Sequence, residues 1–334
     1  MTTVCYILSH YISHRLAGLQ FQDCFRRLGV RLVETPAEAD LVIIHNEPWS
    51  IAGYYRVFPE LCEKRVVTYS VWETEQLPES YRFNLSLSSE IWTCSGYSRD
   101  ALAQSGRPVV VVPHVVSVPG PSAEAERRMR ERIGARDGEM LFYTIANVSN
   151  VRKGVEDLLR AFDGLFSPGE ARLIVKSNVP LPPALASAQD VVVISELLDD
   201  DDLFALHRVG DCFVSAHRSE AWGLGISEAM ACGNLVVATA HGGNMDFMNA
   251  GNSLPVACQI EPIRATEVRS QPDILTSDMH WGYVDPDDLR RQLRRAFDDR
   301  VSSQRLARQA QLDMKRYAPE RITECIAEHL AALF

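Results

Sequence analysis

The run from His217 to Gly233 lies between two short apolar stretches, Cys212–Ser215 and Leu235–Ala238. Both read as strands, and the small-residue segment Glu228–Cys232 reads as a helix between them. Strand, loop, helix and strand in that order make the repeating unit of a parallel sheet. The loop carries Gly223 and Gly225 and is flanked by Glu220 and Glu228, eight residues apart. Free backbone N–H groups at the start of such a helix, and the positive end of its dipole, favour an anion. The donors expected there are Gly223, Gly225, Ile226 and Ser227. Glu228, expected in the helix's first turn, can accept hydrogen bonds from a vicinal diol, and Glu220 can reach further along the same ligand. A phosphate flanked by hydroxyl-reading carboxylates is the chemistry of a nucleotide sugar.

The same alternation runs from end to end. Val4–Leu8, Val30–Val33, Leu41–His45, Val66–Val71, Ile91–Cys94 and Val109–Val112 read as strands, with helical spacing over Leu16–Leu28 and Ser98–Gln104. Near-continuous Val and Ile runs mark parallel strands buried on both faces. The pattern breaks at Ser117-Val118-Pro119-Gly120-Pro121-Ser122, the best linker candidate. After a charged helix it restarts over Met140–Ile145, Arg172–Lys176, Val191–Ile194 and Asp211–Val214. A chain of 334 residues fits two domains better than one. The expected division is residues 1–118 and residues 119–316, with a last helix over about residues 317–334 returning to the first domain. Residues 258–280 read as loop-rich, and Asp288–Phe334 as two helices broken near Pro319.

A net charge of −10 argues against nonspecific nucleic-acid binding and against a broad basic membrane-binding face. The basic run Arg127–Arg132 is interleaved with Glu124, Glu126 and Glu131 and reads as a solvated helix face. None of the eight cysteines lie at metal-ligand spacing, and most sit among apolar neighbours, which fits a reducing cytosol. The N-terminus reads as a first strand rather than a signal peptide, and no apolar run approaches the length of a membrane span.

Two cations, Arg152 and Lys153, precede Gly154 where a strand turns into the helix Val155–Phe162. Cations at a helix start oppose its dipole, so their placement calls for an anionic partner such as a diphosphate leaving group. Lys176 ends the following strand. Asp199–Asp202 stand ahead of a helix over Leu203–Val209 and read as capping residues rather than metal ligands. In the first half, Glu73 comes straight off a strand, where a carboxylate can bind a hydroxyl or take its proton. His10, His14 and Arg15 occupy the first strand-to-helix loop, and His45 ends the third strand.

The spacing of Glu220 and Glu228 resembles the glutamate-x7-glutamate signature of retaining GT-B glycosyltransferases of family 4. Ser215-Ala216-His217-Arg218 before it, Gly243-Asn244-Met245-Asp246-Phe247 after it, Arg152-Lys153-Gly154, Trp72-Glu73, Leu77-Pro78, Glu90-Ile91-Trp92 and Pro113-His114 are similar to segments of the same family. The resemblance covers most of residues 66–295 and is thin over residues 1–65, where Gly18 alone stands for the family's glycine-rich loop. It departs at Ala221, where relatives usually carry Gly. It implies an α/β GT-B fold, with two Rossmann-like doubly wound domains facing a central cleft. It also implies transfer of a hexose, with retention, from a GDP- or UDP-sugar to a glycan or lipid-linked saccharide, with no divalent metal required. On that resemblance Arg152, Lys153, Lys176, Gly225 and Ile226 lie at the diphosphate, Leu197 and Leu198 at the base, Glu228 at the ribose, and Glu220 at the sugar, while Glu73 serves the acceptor. Trp281 and Asp285-Pro286-Asp287 resemble a late family segment that closes the second domain. The implied setting is bacterial surface polysaccharide assembly in the cytoplasm, peripheral to the inner face of the membrane. Action on a small metabolite, or a degenerate nucleotide-sugar-binding protein, are the alternatives.

Overall fold

In a computed structural model, residues 2–181 and 190–333 are described. The apolar runs of the first half form strands β1 (Thr3–Leu8), β2 (Arg31–Val33), β3 (Leu41–His45), β4 (Arg65–Tyr69), β5 (Glu90–Thr93) and β6 (Val109–Val111). They pair in parallel in the order β2-β1-β3-β4-β5-β6. In the second half, β7 (Met140–Ile145), β8 (Ala171–Lys176), β9 (Val191–Ile194), β10 (Cys212–Ser215), β11 (Leu235–Thr239) and β12 (Leu254–Val256) pair in parallel in the order β12-β11-β10-β7-β8-β9. Every residue of β3, β8 and β11 is buried, which is why these strands lack a polar alternation. In each sheet the strand order reverses once, between β1 and β3 in the first and between β7 and β10 in the second. Loops leaving the carboxyl ends of strands diverge at such a reversal and leave room for a ligand.

The chain divides into two compact units. The first comprises Met1–Val116, Asp273–Met279 and Arg316–Phe334, and the second Ser117–Pro272 and His280–Lys315. Within the first, the helix Pro319–Leu333 packs on the helix Ile12–Arg27, where Arg27 pairs with Glu320 at 3.0 Å. Gly18 of that helix lies against β1 and β3, since a Cβ there would stand 2.5 Å from Leu8 and 3.1 Å from His45. Among the described residues, no helix is long and apolar enough to cross a membrane.

Three expectations are corrected. The C-terminal stretch holds three helices rather than two, Pro286–Asp298, Arg300–Met314 and Pro319–Leu333. The break near Pro319 is present, and a further one precedes it: Asp299 ends the first of these helices and its side chain caps the second through Ser302 N–H. Residues 258–280 are less irregular than their composition suggests: β13 (Cys258–Pro262) pairs antiparallel with β14 (His280–Val284). The aspartates do not all precede their helix, which spans Asp200–Val209; Asp199 caps it by accepting from Asp202 N–H at 2.8 Å.

Asp285 opens the helix Pro286–Asp298 by accepting from Asp287 N–H at 2.9 Å and Asp288 N–H at 3.0 Å. Replacing such a cap with alanine leaves two donors without their partner, so Asp285→Ala is expected to lower stability by about 1 kcal/mol in urea unfolding. An unchanged midpoint would show that solvent replaces the cap at no loss.

Candidate active site

The second unit's switch point lies between β7 and β10, and two loops leave the sheet there. The first leaves β7 and tightens into a turn at Val151–Lys153, where the Asn150 side chain accepts from Arg152 N–H at 3.1 Å. Gly154 follows with φ +62°, and a Cβ on it would stand 1.8 Å from the Ala216 carbonyl oxygen. Only glycine lets this turn meet the second loop, which leaves β10 at Ser215. Arg218 N–H donates to the Arg152 carbonyl at 2.7 Å and completes the seam. The helix Val155–Phe162 then begins with Glu156 and Asp157 in its first turn, acids that suit its dipole.

Arg152 and Lys153 both turn their side chains to the second loop. Lys153 Nζ lies 2.5 Å from Glu220 Oε1, and Arg152 Nη1 lies 3.3 Å from Glu220 Oε2. Arg152 Nη1 also donates to the Ser219 carbonyl at 2.5 Å. Glu220 itself is buried. Burial opposes its ionisation, but Lys153, Arg152 and His217 outweigh that, and the carboxyl is lowered to about 2. A third segment grips its backbone: Gly243 N–H donates to the Glu220 carbonyl at 2.7 Å. Gly242, at φ +98°, has no room for a Cβ, which would lie 2.7 Å from that same oxygen.

His217 sits fully buried behind Glu220. Its Nδ1 is 2.9 Å from Ser215 Oγ, and its Nε2 is 3.0 Å from the His241 carbonyl. A carbonyl can only accept, so the ring proton is on Nε2 and Ser215 donates to Nδ1. Burial lowers its pKa to about 4, against the pull of Glu220, so the ring is a neutral strut. Arg218 is structural too: its guanidinium pairs with Glu267, reaches Asp157 at 3.4 Å, and lies over the Tyr283 ring at 5.3 Å. Sequence reasoning missed Glu267 and Tyr283, which lie 49 and 65 residues downstream of Arg218 and carry no local signal. Gly242 was legible as a glycine and His217 as part of a motif, but neither partner set was.

The helix after the second loop spans Leu224–Ala231, four residues earlier than its sequence suggests. Gly223, at φ +92°, is its N-cap and supplies no side-chain cap. The first helical bond runs from Ser227 N–H to the Gly223 carbonyl at 3.0 Å, so the N–H groups of Leu224, Gly225 and Ile226 precede the helical ladder. Gly225 lets this start approach the sheet, since a Cβ would stand 3.0 Å from Phe213. Ser227 is engaged twice over: beyond its N–H, its hydroxyl donates to the Leu224 carbonyl at 2.9 Å and accepts from Trp222 Nε1 at 3.1 Å. Glu228 is therefore not in the first turn but is the helix's fifth residue, with a side chain 27% exposed and 3.7 Å from His207.

The remaining candidates are placed as follows. Lys176 ends β8, buried, its Nζ 2.6 Å from Asn178 Oδ1, and burial lowers its pKa. Leu197 is exposed and Leu198 half-buried in the segment between β9 and the helix Asp200–Val209. Glu73 lies in the first unit, half-buried in the loop after β4, beside Trp72, whose indole donates to Thr74 at 2.8 Å.

Residues 140–267, which include Arg152, Lys153, Lys176, Glu220 and Glu228, match the model of the family described as glycosyl transferases group 1. An alpha-monoglucosyldiacylglycerol synthase of Streptococcus pneumoniae is 28% identical over 119 residues, 34% of this chain and 27% of that protein. An uncharacterized glycosyltransferase of Methanocaldococcus jannaschii is 26% identical over 133 residues, 38% of this chain and 34% of its own length. The match thus spans about a third or less of either relative. Among solved structures, Anabaena HepE in complex with UDP-glucose superposes with a TM-score of 0.74 at 15% identity, covering 99% of this chain and all of that one. Sucrose-phosphate synthase of Thermosynechococcus elongatus gives 0.66 at 15% identity over 98% of this chain and 80% of that one. The two parallel six-stranded sheets and this likeness make the fold the two-domain α/β GT-B type expected from the sequence.

Two glycines test the seam. Gly154 and Gly164 share a left-handed φ of about +60°, but a Cβ on Gly164 meets nothing within 4 Å. Gly164→Ala is expected to cost about 1–2 kcal/mol for the backbone alone. Gly154→Ala should cost more than twice that, or leave the unit unfolded, when both are compared by thermal melting. The site also sets an acid limit. His217 is neutral when folded and gains its proton below about 4, whereas the unfolded ring does so near 6.5, so stability falls as pH drops from 6.5. Glu220, lowered to about 2 from 4.5, contributes stability above 4.5 that is lost as pH falls toward 2. Unfolding free energy measured by urea titration should therefore decline steadily from pH 7 to pH 4; a flat profile would contradict a buried neutral His217.

Proposed function

We propose that this chain transfers a hexose, such as glucose or mannose, from a nucleoside-diphosphate sugar to a hydroxyl of a glycan or lipid-linked saccharide, with retention of anomeric configuration. The observation that carries this reading is the cluster of Lys153, Arg152 and Glu220, three residues ahead of a helix start with no side-chain cap. Fixed cations and open backbone donors stabilise charge as a diphosphate departs, which is the role a divalent ion fills elsewhere. No divalent ion is then needed. Glu220 holds the two cations in place and accepts from the sugar's hydroxyls. Leu224, Gly225 and Ile226 offer N–H groups to the diphosphate, and Lys176, at the end of β8, adds a further cation. Glu228 takes the ribose, and the segment at Leu197 and Leu198 the base. Because Ser227 is already fully engaged, its part is to fix the loop rather than to touch the ligand. In a retaining reaction of this kind the acceptor attacks from the leaving-group face and a donor phosphate oxygen takes its proton, so no protein nucleophile is required. Glu73, in the loop after β4 of the first unit, is the residue assigned here to an acceptor hydroxyl. The group 1 match over residues 140–267 and the UDP-glucose complex of HepE support the donor class, with a UDP-sugar the first to try.

The first test is thermal melting with UDP- and GDP-sugars, in EDTA and in Mg²⁺. A ligand that binds only the folded state raises the melting temperature. One diphosphate sugar should raise it equally in both conditions; no response to any of them would overturn the donor assignment, and a response only with Mg²⁺ the metal-free one. Lys153→Ala should then lower the turnover number for transfer by on the order of 10²–10³, as removing one preorganised charge-stabilising group does. Wild-type turnover in that variant would remove Lys153 from the reaction.

A further inference from the structure

Behind Glu228 lies a chain of buried polar groups that the donor site described above does not use. Asn234 donates from Nδ2 to the His207 carbonyl and, at 2.6 Å, to the Tyr143 hydroxyl. The bond to a carbonyl fixes which end of this amide is nitrogen, so both protons are committed as donors. The Tyr143 hydroxyl, having accepted from Asn234, directs its own proton at His207 Nδ1, 2.8 Å away. Burial pushes that hydroxyl well above its usual range, so it keeps the proton. His207 Nδ1 is thereby an acceptor, and the ring carries a proton on Nε2. That nitrogen is buried, makes no hydrogen bond among the described residues, and lies 3.7 Å from Glu228 Oε2. The gap is roughly 0.5–1 Å longer than an N–H···O bond and closes with a small turn of the glutamate side chain.

The ring cannot turn away. Phe204, Tyr143 and Phe213 pack around it with ring centroids 5.6, 5.5 and 6.3 Å from its own. Gly210 makes the space for Tyr143, since a Cβ there would stand 2.4 Å from the tyrosine ring. Phe213 in turn lies under Gly225 at the start of the same helix. One aromatic cluster thus supports both the anion-binding end of this helix and the carboxylate one turn further on.

We infer that His207 is a positioning residue: its Nε2–H holds one oxygen of Glu228 and leaves the other for the ribose diol, so that a relay of Asn234, Tyr143 and His207 sets the protein's preference for a ribonucleotide over a 2′-deoxyribonucleotide. The inference rests on the assignment of Glu228 to the ribose. It is tested by calorimetric titration with UDP and 2′-deoxy-UDP, and with the GDP pair. The wild-type protein should prefer the ribonucleotide by about tenfold or more, the value of a hydrogen bond to a charged group. His207→Asn keeps an acceptor near Nδ1 for Tyr143 but places no donor at Nε2, and should erase most of that preference. His207→Gln, whose amide nitrogen reaches the Nε2 position, should restore it. In a transfer assay the asparagine variant should raise the donor KM with little change in kcat. Full ribose preference in His207→Asn would overturn the inference while leaving Glu228's role intact. Absence of any ribose preference in the wild type, or of nucleotide binding altogether, would overturn the ribose assignment and the inference with it. Should the asparagine variant fail to fold, ¹⁵N chemical shifts of the wild-type imidazole decide the matter: a proton on Nδ1 rather than Nε2 breaks the relay.

Discussion

The carbonyl of Ala216 occupies the space that a Cβ at position 154 would need, and the charged site follows from that contact. A glycine at 154 lets the turn after β7 press against the loop after β10, and the turn carries Arg152 and Lys153 with it. The opposing loop carries Glu220 four residues beyond Ala216. Neither loop would hold these groups alone, because long cationic side chains on a surface turn lose rotamer freedom when fixed. Here the backbone seam, from Arg218 N–H to the Arg152 carbonyl, fixes the stems, and Glu220 fixes the heads. Gly242 repeats the device from the third side, its missing Cβ making room for the backbone of Glu220. The site is thus assembled by main-chain proximity before any charge acts.

Charge then decides what the assembled site can bind. A buried carboxylate is costly unless paired, and two cations at a helix start are unfavourable unless something anionic meets them. Each problem answers the other, which is why Glu220 stays ionised despite its burial. The pairing also leaves a net positive charge beside three N–H groups outside the helical ladder. Under the proposed function, a diphosphate entering there would meet cations already oriented, so little reorganisation would be needed as negative charge grows on the leaving group. His217 contributes by remaining neutral: a protonated ring behind Glu220 would compete with Lys153 for the same carboxylate, and burial prevents that.

Much of the fold was legible because parallel strands buried on both faces carry near-continuous apolar runs, as Leu41–Ile44 of β3 and Leu173–Val175 of β8 do. The seam was half legible: Arg152, Lys153, Gly154 and Glu220 stand out as residue types, but no pattern in sequence reports that Gly154 meets Ala216. Helix starts were the weakest point. The stretch Leu224–Ile226 is apolar and glycine-bearing, so it reads as loop, and the helix was expected to begin at Glu228; Gly223 in the left-handed region starts it a turn earlier. That shift moves Glu228 away from the dipole and toward His207, a partner 21 residues upstream that only the packing of Tyr143 and Phe213 explains. The hairpin of β13 and β14 was hidden for a related reason. Its strands are separated by 17 residues and one of them is largely exposed, so neither apolar alternation nor a tight-turn motif marks it.

The two sheets have different strand orders but each has a switch point, and the chemistry gathered at the two is opposite in character. At the second, cations and backbone donors meet. At the first, His14 lies in the first turn of the helix Ile12–Arg27 rather than in the loop expected for it, and His45, the last residue of β3, shares a hydrogen bond with the Tyr6 hydroxyl at 2.8 Å. Burial lowers the pKa of both histidines, and the charges of Glu47 and Glu73 act on His14 in the other direction. Neutral imidazoles with carboxylates nearby repel a phosphate and suit hydroxyl groups, which can donate to the acids and exchange hydrogen bonds with the rings. Trp49, 62% exposed with its indole N–H held 2.7 Å from Glu47, adds a flat apolar face of the kind that sugar rings cover well. Under the proposed function, cationic groups in one unit would suit the charged donor and uncharged, hydroxyl-pairing groups in the other the uncharged acceptor, so that each substrate is disfavoured in the other's place.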